Sequence, residues 1–254
     1  MRSPMAEFET LVREAERLPF EGWDFAHLGD RWQYPALPWD LVGMLREHFP
    51  GVSGFVDLGT GGGEFLARLA PLPTGTVATE GYEPNLPVAR ARLGPLGVRV
   101  VGGTRDRRLD LPSESADLVH ARHEAFDARE VARVLRRGGV FVTQQVGGRN
   151  HEEFAHRFGV SGEPPVNRIE SAPQLAEEIA AAGLVPVDVR EARGRETVRD
   201  VGALVYFLRA APWEVPGFSV DRFRPVLEEI HREIERSGGW SLTSHRLLVV
   251  ARRP

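Results

Sequence analysis

Within FVDLGTGGGEF, residues 55–65, one carboxylate, Asp57, stands ahead of four glycines, Gly59, Gly61, Gly62 and Gly63, with Thr60 among them. Without a Cβ, such residues reach positive φ and let a ligand lie against the main chain. A second carboxylate, Glu80, ends the next apolar run and is followed by Gly81 and Tyr82. At that position it could accept both ribose hydroxyls of a nucleoside. Farther on, ARHEAF places His123 and Glu124 just beyond another apolar run. A histidine titrates in the right range to serve as a base, so the pair are candidates for positioning an acceptor or taking its proton. The alternative is structural, with Glu124 capping a turn and His123 packing.

These residues need elements to carry them. Apolar runs at 55–58, 75–80, 98–101, 116–122, 140–146, 184–189 and 246–251 read as strands. Helical patterns at 64–70, 87–93, 128–137 and 171–183 separate most of them, with Asp127/Glu130 and Ser171/Gln174 as boxed starts. Alternation of this kind predicts an α/β fold with a mainly parallel sheet and helices on both faces. Two segments break the rhythm. Residues 1–50 hold an amphipathic helix at 6–18, a second at 37–49 and three of the chain's five tryptophans, Trp23, Trp32 and Trp39. Residues 194–243 are too long for a simple connection and carry two further helical patterns. The expected organisation is an N-terminal helical and aromatic cap at 1–50, a core at 51–193 and 244–254, and a helical insertion at 194–243 that adds to the cap.

The 254 residues are enough for a sizeable core, and the hydrophobic fraction is 42%. A formal net charge of −4 argues against a general nucleic-acid binder and favours small or neutral partners. No apolar run is long enough for a membrane span, and the first residues are charged and helix-like, so a cytoplasmic protein is expected. Cysteine is absent, which removes disulfides, thiolate nucleophiles and cysteine zinc sites. Lysine is absent too: all 32 basic residues are arginine, which excludes Schiff-base chemistry and a P-loop lysine. The arginine, alanine, glycine and proline bias is that of a GC-rich bacterial genome. The histidines lack metal-ligand spacing, and no metal is expected.

The glycines match G-x-G-x-x-G imperfectly, since Glu64 holds the third place, but they match D-x-G-x-G-x-G in full from Asp57 to Gly63. In VDLGTGGGEF, ATEGYEPNLPVARARL, the SADLV strand and VLRRGGVFV, over roughly residues 50 to 150, the chain resembles the class I S-adenosylmethionine-dependent methyltransferases. It looks like an uncharacterised bacterial subgroup of them, with DVGALVYFLRAAPWEVPGF late in the chain. The resemblance implies a seven-stranded sheet whose last strand, 246–251, runs antiparallel, and S-adenosyl-L-methionine as cofactor. It further implies that residues 59–63 pass against the methionine part, that Asp57 positions its amino group, that Glu80 holds the ribose, and that Tyr82 lines ribose and adenine. The adenine contact stays open: in GGTRDRRLDLP, Asp106 and Asp110 compete, with Thr104 and Arg105 as other liners.

The acceptor is harder to read. Trp23, Trp32 and Trp39 could cover a planar or apolar acceptor, with Asp24, His27 and Arg31 as polar contacts, or they could simply pack the cap. One of Gln144 and Gln145 should face the ligand edge, because strand side chains alternate, and Gln144 is the candidate taken. The leading expectation is methyl transfer to a small molecule. The alternatives are an RNA base methyltransferase, a non-catalytic S-adenosylmethionine-binding protein acting through a partner, and, least favoured, an NAD-dependent oxidoreductase. Neither the acceptor atom nor the oligomeric state can be read from the residues.

Overall fold

The computed structural model describes residues 4–23, 25–103, 108–160 and 169–254. Their strands are β1 (Trp32–Gln33), β2 (Phe55–Leu58), β3 (Val77–Glu80), β4 (Arg99–Gly102), β5 (Ala116–Arg122), β6 (Leu135–Val146), β7 (Val185–Val198) and β8 (Trp240–Arg252). They form one sheet in the order β1-β7-β8-β6-β5-β2-β3-β4. Strands β2 to β6 pair parallel, whereas β8 is antiparallel to both β6 and β7. This is the α/β methyltransferase arrangement expected, with the last strand reversed, plus one additional strand. The extra strand, β1, is a two-residue edge in which Trp32 pairs with Val198 and Gln33 with Thr197. Two residues flanked by turns and an aromatic cluster carry no readable period, which is why the pattern does not reveal it.

Three other boundaries differ from the pattern. The helix expected at 128–137 is α5 (Ala128–Val134), and Leu135 already belongs to β6, which bulges opposite Ala116 and Leu118. Glu130 does not complete a capping box: it accepts from the Leu109 N–H and pairs with Arg133, while Asp127 alone caps the helix. Strand β7 runs on to Val198 and β8 starts at Trp240, so they form a long antiparallel ribbon whose charged outer residues mask the strand signal in EARGRETV.

Helices α2 (Leu41–His48), α3 (Glu64–Arg68) and α4 (Asn85–Leu93) cover one face of the sheet. There Leu45, Phe55, Leu66, Leu93 and Leu118 form a continuous core. Helices α5 and α7 (Ala172–Ala181) cover the other, around Val119, Val131, Phe141 and Ile179. A third core is built apart from these by α1 (Pro4–Arg17), α6 (Glu152–Phe158), α8 (Val201–Ala210) and α9 (Val220–Ser237). It buries Phe8, Trp32, Leu204, Leu227 and Trp240. Helix α8 is buried on nearly every side, consistent with its unbroken apolar sequence, whereas α9 buries one stripe, Phe223, Leu227, Ile230 and Ile234. The residues up to Trp32 thus share one core with the late segment, whereas the rest of the expected N-terminal cap, Trp39 and α2, packs on the sheet. The shared core closes over the carboxyl ends of the parallel strands.

Candidate active site

A cleft of about 1420 Å³ runs from the glycine turn to the helices of the third core. Its floor is the turn between β2 and α3. Gly59 and Gly61 have φ of 63° and 62°, in the left-handed region where a Cβ is strained. A Cβ on Gly59 would run into the Glu124 side chain, and one on Gly61 would meet the Gly22 carbonyl at 3.0 Å. The turn is tied to β3 by the Thr60 N–H donating to the Thr79 carbonyl at 2.8 Å. Gly63 caps α3 and packs against Leu93 rather than lining the cleft.

Two buried carboxylates flank this turn. Asp57 Oδ1 lies 2.6 Å from His120 Nδ1, across the register pairing of β2 with β5. Glu80 accepts from the Tyr82 N–H at 2.7 Å and from the Gly61 and Gly81 N–H groups. Burial pushes its carboxyl above the usual range, more than these backbone donors pull it down. Gly81 and Tyr82 are exposed, with Tyr82 59% accessible, and neither lines the cleft. Asp106, Thr104, Arg105 and Asp24 lie outside the described residues.

The N-terminal segment docks directly on the turn. The Gly62 N–H donates to the Gly22 carbonyl at 2.7 Å, and the Gly22 N–H donates to Asn85 Oδ1 at 3.1 Å. Trp23, with φ of 60°, then projects over Gly61 to meet Trp213 of the late segment, ring centroids 5.4 Å apart. Trp32 forms part of the cleft wall although it is only 2% exposed, and it donates its indole N–H to Glu196 at 2.7 Å. His27 and Arg31 are not in the cleft wall: His27 packs at 5.4 Å on Tyr206, and Arg31 pairs with Asp200 at 3.5 Å.

His123 and Glu124 both line the cleft. Glu124 lies against the backbone of Gly59, nearer the glycine turn than the sequence implies. His123 has φ of 56°, and part of its surface opens to the cleft. Crowding by protein, and then the charges of Arg122 and Arg246, hold its pKa well below 6.5, so the ring is neutral. Gln144 is not a cleft residue: it lies on the same face as its register partner Arg122 but is buried against Trp39 and His123. Its carbonyl accepts from the Trp39 indole at 2.9 Å and its amide nitrogen sits 3.2 Å from His123 Nε2. This chain favours the His123 tautomer that carries its proton on Nδ1. Gln145 lines the cleft instead and donates to the Glu124 carbonyl at 3.1 Å.

Sequence reasoning overlooks two groups. His120 and Arg122 follow Leu118 at period two on one face of β5, and a histidine within a central strand was the available signal. The second is a buried cluster around Glu196, which accepts from Trp32, lies 3.1 Å from His151 Nε2 and pairs with Arg246 at 3.1 Å. His151 also lies 3.6 Å from Glu214. Burial alone would lower the pKa of His151, but Glu196 and Glu214 outweigh it and push it up to about 9. No sequence spacing connects residues 32, 151, 196, 214 and 246.

Comparison with known proteins agrees with this geometry. Residues 56–143 match the family described as a methyltransferase domain. No functionally curated protein matches the sequence. Among solved structures, a methyltransferase candidate from Bacillus halodurans C-125 is 19% identical, with a TM-score of 0.59 over 84% of this chain and 99% of the other. The YcgJ protein of Bacillus subtilis is 18% identical, with a TM-score of 0.58 over 84% and 97%. A protein of unknown function from Deinococcus radiodurans R1 is 16% identical, with a TM-score of 0.55 over 97% and 100%. At such identities the structures show a shared fold.

Proposed function

We propose that this chain, a methyltransferase by its matched domain and its fold, binds S-adenosyl-L-methionine at the glycine turn and methylates a small molecule held beneath the cap. The observation that carries the reading is the size and division of the cleft. Single-ligand pockets span roughly 300–1,000 Å³. A cleft of about 1420 Å³ has room for two ligands, one on the glycine floor and one toward the aromatic wall.

The residues at the turn suit the cofactor. Gly59 and Gly61 leave the main chain bare, Thr60 Oγ1 is buried with no partner among the described residues, and Asp57 keeps its second oxygen unbonded by them. Asp57 and the turn would hold the methionine part, and Glu80 the ribose. The bound cofactor supplies an activated methyl on a sulfonium, so alignment and exclusion of water are the main demands on the protein. Gly22, Trp23 and Trp213 cover the turn and exclude water. His123, neutral and fixed by Gln144, would orient an acceptor by donating from Nδ1, and Glu124 would set the space above Gly59. The net charge of −4 favours a small molecule over an RNA base.

Calorimetry with S-adenosylhomocysteine and with NAD tests the donor. Binding of the first and not the second is expected, and the reverse result would overturn the reading. A methyl-transfer screen against metabolites and RNA then tests the acceptor class, with turnover on RNA alone counting against it.

A further inference from the structure

Phe65, in the first turn of α3, is surrounded by groups that favour negative charge. The Arg122 guanidinium lies over its ring at 4.6 Å from the centroid, and that of Arg68 at 5.3 Å. The His120 ring stacks on it at 5.3 Å and 25°. Phe65, Arg68, His120 and Arg122 all line the cleft. Among the described residues neither Arg68 nor Arg122 has an ion pair, although the chain pairs many of its other arginines. Of the neighbouring carboxylates, Glu64 is paired with Arg92 and Glu196 with Trp32, His151 and Arg246. Asp57, whose charge also favours the charged form of Arg122, is bonded to His120 through one oxygen and makes no ion pair with either arginine.

Two like charges sharing one aromatic ring in a partly enclosed site repel each other. The ring face offsets only part of that cost. The repulsion is visible in Arg122 itself. Burial first, and then the charge of Arg68, lower its pKa from 12.5 to about 10. A site of this kind is completed by an anion. The guanidinium fork suits the paired oxygens of a carboxylate or phosphate, and such charge-assisted bonds are among the strongest a protein forms.

We propose that Arg68 and Arg122 bind the oxyanion of the methyl acceptor, which is therefore an organic acid bearing a carboxylate or phosphate. This rests on the methyltransferase reading above. Arg122 stands two residues beyond His120 at the end of β5, one strand over from Asp57 and the glycine turn. The acid group would lie over Phe65. The aromatic wall of Tyr34, Trp23 and Trp213 would take the apolar body of the same molecule. The other source of a carboxylate is the methionine part of the cofactor, which the experiment separates.

The test is calorimetry with phenylacetate, phenyl phosphate and the neutral phenylacetamide, on protein saturated with S-adenosylhomocysteine and on protein alone. At least one oxyanion probe should bind about tenfold or more tightly than the amide, and the stronger of the two identifies the acid class. Arg122→Gln and the exposed Arg68→Gln should each weaken that probe by about tenfold, with Arg122→Lys intermediate, while affinity for S-adenosylhomocysteine changes less than threefold. Equal binding of acid and amide, or no binding of either acid, would overturn the proposal. Loss of S-adenosylhomocysteine affinity in both Gln variants would also overturn it, assigning the pair to the cofactor. If the unsubstituted protein fails to bind S-adenosylhomocysteine, the donor reading fails, and the titrations on protein alone still decide the oxyanion site.

Discussion

Two buried histidine–carboxylate pairs stand beside the cleft, one at its floor and one at the cap junction, and they differ in what is left over. At the floor, Asp57 meets one partner, His120 at 2.6 Å, and its other oxygen has none among the described residues. His120 Nε2 is likewise buried without one. At the cap junction, Glu196 meets Trp32, His151 and Arg246 together. A saturated carboxylate holds elements in place, whereas an unsaturated one at a cavity wall is available to a ligand. The difference separates a structural lock from a carboxylate left open for the proposed cofactor. The lock joins β1, α6, β7 and β8, so it ties the cap to the sheet. The floor pair joins only neighbouring strands.

Glu196→Ala should give the largest effect. It leaves Trp32, His151 and Arg246 buried without their acceptor, and stability should fall by about 3–5 kcal/mol, read as a lower Tm. Affinity for S-adenosylhomocysteine, measured well below the transition, should change far less. If the variant loses affinity at unchanged Tm, the assignment of Glu196 as a lock is wrong. Asp57→Asn should show the opposite balance, weakening S-adenosylhomocysteine by about 10–100-fold while Tm moves by only a few degrees.

The lock also has a pH limit. Folding favours the charged form of His151, so its contribution is complete below about 6.5 and is lost as pH rises through about 9. Thermal melts between pH 7 and 10 should lose about 2 kcal/mol of stability, roughly 4–8 °C in Tm. In His151→Gln that slope should flatten, and an unchanged slope would assign it to another group. The smallest effect is expected at His123. With the ring held neutral, His123→Gln should keep some donation to the acceptor, lower turnover by about tenfold and leave cofactor affinity unchanged. A loss of a thousandfold or more, with a pH profile set by one group, would instead identify His123 as a general base.

The floor was legible because its parts are close in sequence. Asp57, the glycines and Glu80 belong to two successive strand–helix units, and the residues between them carry the signals of strand ends and helix starts. The acceptor side was not. Trp32 reads as a cover for a ligand, yet its indole is committed to Glu196, a residue 164 positions away. Gln144 and Gln145 differ by one position, and only packing decides that Gln144 is buried against Trp39 and His123 while Gln145 lines the cleft. Arg68 and Arg122 stand far apart in sequence, and only the packing of α3 beside β5 brings both onto Phe65.

By itself the sequence determined the alternation of strands and helices and the bare glycine turn behind Asp57; the reversed last strand was implied only by the family resemblance. The alternation and the turn depend on local conformational preference and hydrophobic period, which act over a few residues. The tertiary structure alone decided which carboxylates are saturated, that the residues up to Trp32 and the late segment share one core, and that two arginines meet over one ring. Those outcomes depend on distances between residues far apart in the chain, which no local preference encodes.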